Sequence, residues 1–502
     1  MKNDSVKKFK TNIEGFDHIS KGGLPKDRTT LVCGSAGSGK TIFATQFLIE
    51  GIKNSNENGV FITFEEKPED IKKNMIGFGW DINKLEDLKK WTFVDVSPQL
   101  GQEQILAGDY ELKPLLARIE YAVKKVNANR ISIDSIGALL LRFSNSGKVR
   151  SELFQIIQAL KNMNVSVVMT AERVKEYGRI SRFNVEEFVA DNVIILRNLL
   201  ERGKRRRTIE ILKYRGTDHQ KGEFPFTITS GEGIIVIPLS AMELKQNSSK
   251  ERLSSGIKEL DKMVGGGFFK DSIVLVSGAT GTGKTLMMSE FMARGVKSGQ
   301  KSLLFAFEES KQQIYRNAFG WGIDFQQMEN EGKLKIICQY PEIASLEDHL
   351  IRIKKIITEY KPTRIAIDSL SALERIGTSK AFREFSIGLT SYIKQKEIAG
   401  LITATTPYLT GGLSVAETHI STLTDTIILL RYVEIYGEMH RGIIVLKMRG
   451  SKHNKNICEV IIDNNGMHIG NPIRNVVGIL RGNPKNINPS DMDSIRSKYK
   501  NT

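Results

Sequence analysis

The stretch Gly34-Ser35-Ala36-Gly37-Ser38-Gly39-Lys40-Thr41 fits the pattern G-x-x-x-x-G-K-[ST] of a phosphate loop. Thr29–Cys33 before it reads as a buried strand, and Ile42–Ile52 after it carries apolar residues at helical spacing. The motif needs this context. Glycines let backbone N–H groups close around phosphates, and the helix N-terminus adds partial positive charge. Lys40 is placed to reach the outer phosphates and the Thr41 hydroxyl to hold Mg²⁺. The stretch returns as Gly278-Ala279-Thr280-Gly281-Thr282-Gly283-Lys284-Thr285, 244 residues later and again between a strand and a helix. A structural Gly-rich turn does not explain two matches in matching contexts.

Other segments repeat with the loops. Phe61-Ile62-Thr63-Phe64-Glu65-Glu66 answers to Leu304-Phe305-Ala306-Phe307-Glu308-Glu309, and Gly77-Phe78-Gly79-Trp80 to Ala318-Phe319-Gly320-Trp321. Arg130–Ser135, Asp191–Arg197 and Ile211–Gly216 each recur 234 residues later. The chain is therefore a tandem duplication: a first domain over 1–243, a second over 244–480 and a polar tail over 481–502. The junction falls in Glu243–Arg252. Short Val/Ile-rich strands alternate with amphipathic helices in each half. This predicts a mostly parallel sheet flanked by helices. After Asp191 and Asp425 the pattern changes to two strands joined near Gly203 and Gly437, an antiparallel hairpin at the sheet edge. The fold class is α/β, a duplicated RecA-like phosphate-loop domain.

The chain has 502 residues, 40% of them hydrophobic and 26% charged, which is ordinary for a soluble globular protein of several domains. The basic, polar N-terminus lacks an apolar core of a signal peptide, and no apolar run is long enough for a bilayer. Cys33, Cys338 and Cys458 are scattered through apolar contexts, which excludes a zinc framework and argues against a disulfide scaffold. A reducing cytoplasm follows. The net charge of +16 is spread along the chain and leaves the partner open.

Asp134 and Asp368 end apolar strands, where a carboxylate can bind the Mg²⁺ of a phosphate-loop site; the bland alternative is a helix N-cap. Glu65-Glu66 and Glu308-Glu309 end strands 25 and 24 residues after the loop lysines. A carboxylate there can orient or deprotonate the attacking oxygen, although one of each pair could simply begin the next helix. Lys213/Arg215 and Lys447/Arg449 have the period of a strand, so each pair faces one way and fits a γ-phosphate held by a neighbouring subunit. A solvated basic face is the competing reading. Lys204-Arg205-Arg206-Arg207 flanks the hairpin turn without interleaved aromatics, so it reads as a solvated or intersubunit hairpin instead of a nucleic-acid patch. The halves differ before Asp425: Ser421 and Thr422 stand where the first half has Glu187 and Phe188. Hydroxyls in one half alone point to phosphoryl transfer onto protein there and onto water in the other.

From these segments, and from Arg207–Lys213, Gly222–Thr229, Gly266–Ser272, Tyr432–Ile435 and His419–Thr422, the chain resembles the KaiC family, hexameric ATPases and autokinases of bacterial circadian systems. The resemblance covers roughly residues 10–490. It implies a double-ringed homohexamer with ATP and Mg²⁺ at subunit interfaces. The first ring would hydrolyse ATP; the second would phosphorylate and dephosphorylate Ser421 and Thr422. It implies Glu65, Glu66, Glu308 and Glu309 as catalytic, and Thr41, Thr285 and Glu308 at the metal. Nucleotide-binding residues of the first domain would be Gly37, Ser38, Gly39, Lys40, Thr41, Ile42, Gly77 and Asp134. The cross-subunit set there would be Lys213, Tyr214, Arg215, Thr217, His219 and Lys221. In the second domain the direct set is Thr280, Gly281, Thr282, Gly283, Lys284, Thr285, Leu286 and Asp368. Its cross-subunit set is Trp321, Arg441, Lys447, Met448, Arg449, His453 and Lys455. Two departures matter. A family phosphorylation-segment threonine corresponds to Ala416, and the tail Pro484–Thr502 diverges where the family binds KaiA. KaiA dependence is therefore not expected, whereas a KaiB-like partner on the first domain is. The competing classes are a RecA/DnaB-like motor stimulated by nucleic acid and a scaffold that uses ATP only to assemble.

Overall fold

A computed structural model describes residues 6–97, 112–140, 146–181, 186–238, 248–406, 420–435, 437–474, 476–477, 479 and 485–486. The chain separates into two units, Met1–Ala241 and Met242–Thr502. The first is built on nine strands: β1 (Thr29–Gly34), β2 (Asn58–Thr63), β3 (Trp91–Asp95), β4 (Ala128–Asp134), β5 (Ser166–Glu172), β6 (Asn192–Glu201), β7 (Lys204–Tyr214), β8 (Glu223–Thr229) and β9 (Gly233–Val236). They form one sheet in the order β9-β8-β7-β6-β1-β5-β4-β2-β3. β1 to β6 run parallel, and β6 to β9 are antiparallel neighbours.

The second unit repeats this order as β12-β11-β13-β14-β10-β15-β16-β17-β18. Its strands are β10 (Ile273–Gly278), β11 (Ser302–Ala306), β12 (Leu334–Cys338), β13 (Arg364–Asp368), β14 (Ala399–Thr405), β15 (Thr426–Ile435), β16 (Glu438–Met448), β17 (Cys458–Asp463) and β18 (Gly466–Pro472). The duplication is therefore one of topology as well as sequence. The antiparallel edge is larger than the sequence pattern indicates. The hairpin β6–β7 is followed by a second one, β8–β9, and likewise in the second unit. Arg202 and Gly203 both have positive φ, which makes the first turn a two-residue connection matched to strand twist.

Both sheet faces are covered, as a parallel sheet requires. Consecutive residues of β2 enter different cores: Val60 and Ile62 pack with Leu115, Ile119 and Leu153, while Phe61 packs with Phe43, Phe47 and Trp91. A polar anchor crosses this packing in each unit. Arg130 and Arg364, at strand starts, are fully buried. Arg130 donates to Phe47 O at 2.7 Å, Lys10 O at 2.9 Å and Glu57 at 2.6 Å. Arg364 donates to Ser254 O at 2.7 Å, Phe291 O at 3.1 Å and the Gln300 amide oxygen at 2.7 Å. Burial, with Arg294 nearby, pushes the Arg364 guanidinium down to about 10, so it stays charged at neutral pH. Each guanidinium ties the segment entering its unit to the helix after the phosphate loop.

That helix must be glycine where the arginine passes. A Cβ at Gly295 would lie 2.5 Å from Arg364 Cδ and 2.7 Å from Ser302 Oγ, and one at Gly51 would lie 2.5 Å from Arg130 Nε. Gly295→Ala is expected to destabilise the second unit by about 1–3 kcal/mol through overpacking, despite the better helix propensity of alanine. Differential scanning calorimetry should show a lowered transition; an unchanged or raised one would mean that Arg364 moves aside freely.

Candidate active site

Each phosphate loop leaves the carboxyl end of the central strand, β1 or β10, and runs into a long helix, Lys40–Ser55 or Lys284–Lys297. The turn demands glycine. Gly39 and Gly283, the residues before the helices, have φ of 98° and 105°. A Cβ at Gly283 would lie 2.8 Å from the Met467 side chain and 3.0 Å from Ile462; one at Gly39 would lie 2.8 Å from Ile228. The lysines fold back over their own loops. Lys40 Nζ donates to Ser35 O at 3.0 Å, and Lys284 Nζ to Gly278 O and Ala279 O at 2.9 Å each. Burial lowers the Lys284 pKa, and Asp368 and Glu308 oppose that shift.

The two aspartates close the site from the adjacent part of the sheet. Thr41 Oγ1 donates to Asp134 Oδ2 at 2.6 Å, and Thr285 Oγ1 to Asp368 Oδ2 at 3.0 Å. Thr170 and Thr403, on the neighbouring strands, donate to the other carboxylate oxygens. Burial raises both aspartate pKa values against these hydrogen bonds. A hydroxyl and a carboxylate, both hard oxygen donors, suit Mg²⁺. Among the described residues no cluster of three or more His, Cys, Asp or Glu could hold a metal by itself. The arrangement fits an ion shared between protein and phosphates.

The glutamate doublets follow β2 and β11. Glu65 accepts from Ser135 Oγ at 2.5 Å, and Glu308 from Ser369 Oγ at 3.0 Å. Glu308 also pairs with Arg375 at 2.6 Å. Glu66 and Glu309 accept more loosely, from Asn74 at 3.4 Å and Asn317 at 3.3 Å. Burial raises their pKa values, and Asp134 and Glu65, or Asp368 and Glu308, add to the shift. In the second unit both glutamates, Lys284, Thr285, Leu286 and Asp368 line a cavity of about 450 Å³ with Thr280, Gly281 and Gly283. In the first, Gly37, Gly39, Lys40, Thr41 and Ile42 line one of about 380 Å³. Ser38 and Thr282 are wholly buried beneath the loops. Among the described residues, Ser38 Oγ and the buried Nε of Arg207 have no hydrogen-bond partner.

Arg207 is the residue that the sequence reading misplaced. The basic run around it is largely consumed: Arg205 donates to Asn198 O at 2.9 Å, and Arg207 lines the first cavity. The offset of 234 already pointed there, since it pairs Arg207 with Arg441 and Ile228 with Ile462. Arg441 and Trp321 line their own chain's cavity, and Arg441 Nε donates to Gly281 O at 3.2 Å. Met288, Ala306, Ile314, Asn317, Thr405 and Ile462 complete that lining and were legible only from the fold. Gly77 instead ends the helix Pro68–Ile76 and does not line the first cavity.

The strand-borne cations lie elsewhere. In β7, Tyr214 is level with Asn192 and so with Thr30 at the start of β1, whereas the loop follows Gly34 at its end. Four steps of about 3.3 Å put roughly 13 Å between these ends. Lys213 donates to Glu187 O and Ala190 O at 2.9 and 2.8 Å. Lys447 donates to Ser421 O and Thr424 O at 2.6 and 2.8 Å, and Arg449 to Thr422 O at 3.0 Å. Glu187 and Ser421 thus occupy the same structural position. Ser421 is half-buried and Thr422 exposed. The side chains of Tyr214 and Met448 are buried, with Tyr214 Oη donating to Gly23 O at 2.6 Å. His219 stacks edge-on against Tyr214, and Thr217, Lys221, His453 and Lys455 follow the strands at the same end. Ala416 and the tail beyond Asn486 lie outside the described residues.

Paired phosphate loops, strand-end aspartates and this strand order define a tandem RecA-like ATPase. The chain belongs to the KaiC family: the family described as "ATPase: KaiC" matches residues 9–241 and 253–473. It is 62% identical over 496 residues to the circadian clock protein KaiC3 of Synechocystis sp. (strain ATCC 27184 / PCC 6803 / Kazusa), covering 99% of this chain and 98% of that protein. It is 55% identical over 490 residues to the circadian clock oscillator protein KaiC of Thermostichus vulcanus, with 98% and 94% covered. No helix among the described residues is long and apolar enough to cross a membrane.

A carboxyl with a raised pKa takes up its proton at higher pH, so a base of this kind is lost earlier as the medium acidifies. ATP turnover measured from about pH 5 to 8 should fall on the acid side with a midpoint above the ordinary carboxylate range. Glu66→Gln with Glu309→Gln should remove that limb; a limb retained in the double variant would assign it to other groups.

Proposed function

We propose that this protein is a homohexameric timing regulator in which the first domain hydrolyses ATP and the second transfers phosphate to Ser421 and Thr422 and later removes it. The placement of Lys447 and Arg449 supports this reading. They bind the backbone of the two hydroxyl residues at the sheet end opposite their own phosphate loop. The cations and acceptors therefore form one unit that can meet only another chain's ATP. A head-to-tail interface that closes into a ring supplies that meeting six times.

In the second domain, Lys284, the loop amides and Arg441 bind the phosphates, and Thr285, Asp368 and Glu308 hold Mg²⁺. The ion neutralises charge on the phosphates when bound. Lys447 and Arg449 of the adjacent chain offset charge on the transferred group. The acceptor hydroxyl oxygen bonds to the γ-phosphorus as the bond to the bridging oxygen breaks. ADP departs, and the hydroxyl proton passes to Glu308 or Glu309. In the first domain Glu187 occupies the acceptor position, so water is the acceptor and Glu65 or Glu66 takes its proton. Phosphorylation in this scheme needs no KaiA, and a KaiB-like protein is the partner for the first domain. The names of the relatives support a circadian or related timing output.

The scheme requires transfer between chains. Lys284→Ala chains, unable to hold ATP in the second domain, are mixed with Ser421→Ala/Thr422→Ala chains and Mg-ATP. Phosphopeptide mapping should find phosphate on Ser421 and Thr422 of the Lys284→Ala chains; phosphate confined to unmixed wild type would refute transfer between chains. DNA or RNA should leave ATP turnover unchanged, and a several-fold stimulation would restore the motor reading.

A further inference from the structure

The first phosphate loop carries a contact that the second cannot make. Ser35, the loop's second residue, donates its hydroxyl to the carboxylate of Glu176, which lies in the segment after β5. The other oxygen of that carboxylate accepts the backbone N–H of Asn198 at 3.0 Å. The Asn198 side chain in turn donates to Gly37 O, within the loop, at 3.4 Å. The segment bearing Glu176 is itself held by buried guanidiniums. Arg197 Nε donates to Glu176 O at 3.3 Å, and Arg173 donates to Arg179 O at 3.2 Å and Gly178 O at 3.3 Å. Arg197 also lies 5.0 Å from the Tyr177 ring centroid. In the second domain Ala279 replaces Ser35, so no hydroxyl exists there to be held.

We propose that Glu176 is a positioning residue of the first domain, whose carboxylate holds Ser35 and Asn198 together and so sets the phosphate loop in its nucleotide-accepting shape. A carboxylate beside a triphosphate site could instead weaken binding by repulsion. Two observations favour the geometric effect. Glu176 accepts two hydrogen bonds, and the charge of the buried Arg173 acts on it, while Arg197 is paired with Glu210 and Glu223. A charge so paired repels weakly, whereas a loop released at Ser35 must be ordered again by each ATP.

This inference rests on the first domain binding and hydrolysing ATP. The full-length chain carrying Glu308→Gln and Glu309→Gln is the background, so that turnover reports the first domain. In it, Ser35→Ala and Glu176→Ala should each raise KM for ATP about three- to tenfold and leave kcat within about twofold, the size of one ordinary lost hydrogen bond. The double variant should be no worse than Glu176→Ala alone, since Ser35→Ala breaks one of the two contacts that Glu176→Ala removes. Ser35→Thr, which keeps the hydroxyl, should retain the background KM. Effects that multiply in the double variant, or Ser35→Thr behaving like Ser35→Ala, would overturn the proposal. A lower KM in Glu176→Gln would show that repulsion dominates and would also overturn it. Should the background not turn over ATP, the hydrolysis reading fails instead, and the same comparisons on ATP affinity by equilibrium dialysis decide the contact.

Discussion

Parallel pairing of the central strand to its neighbours sends every loop of one kind to the same end of the sheet. The phosphate loop, Asp134 and the Glu65-Glu66 doublet all follow carboxyl ends of parallel strands and gather there without further instruction. β7 runs antiparallel to β6, so its closing residues return to the opposite end. Lys213 and Arg215 are thereby excluded from their own site by about the length of a strand. In the proposed ring, each half-site at one end of a sheet is completed by the half that another copy supplies, so strand direction is what calls for self-association.

The same strand direction separates two kinds of arginine. Arg207 and Arg441 sit on β7 and β16 near the hairpin turns, level with the phosphate loops, and line them from within the chain. Lys447 and Arg449 lie at the far end of β16 and bind carbonyl oxygens of Ser421 and Thr422 instead of carboxylates. A cation bonded to neutral oxygens keeps its full charge available for an incoming phosphate. The nearest carboxylate, Asp425, is 3.9 Å from Arg449 and is itself paired with Lys394 at 2.8 Å.

The fold and the phosphate-facing residues were legible because they obey short-range rules. A phosphate loop needs glycines at fixed spacing, and an aspartate ending an apolar strand must emerge beside it. The two-fold repetition tested each reading against its copy. What stayed hidden depends on strand register. Arg207 looked like part of an exposed basic run, since nothing local says that its side chain turns under the loop while Arg205 bonds a backbone carbonyl. The second hairpin, β8–β9, was missed although Ser230-Gly231, and Asn465-Gly466 in the second unit, are turn signals of the same kind as the first. Arg130 and Arg364 stood in the aligned repeat as ordinary strand-initial charges. Their burial shows only when Gly51 and Gly295 are found beside them.

Two copies of one domain have diverged at a few positions where the shared scaffold makes the difference count. Lys213 and Lys447 bind carbonyls at matching positions, yet the residue they hold is Glu187 in one unit and Ser421 in the other. Glu187 is buried and its carboxylate accepts from Ser181, whereas Ser421 is half-buried and carries the hydroxyl that is the acceptor in the proposed scheme. Trp80 is buried in the core of the first unit, whereas Trp321 lines the second cavity with Ile314 and Asn317. In the proposed scheme an indole at the wall of the second site would help keep water from competing with a hydroxyl there, and the first site has no such wall among its described lining residues. On that reading, one side chain at the acceptor position and the placement of one tryptophan would be enough to turn the same phosphate chemistry in two directions.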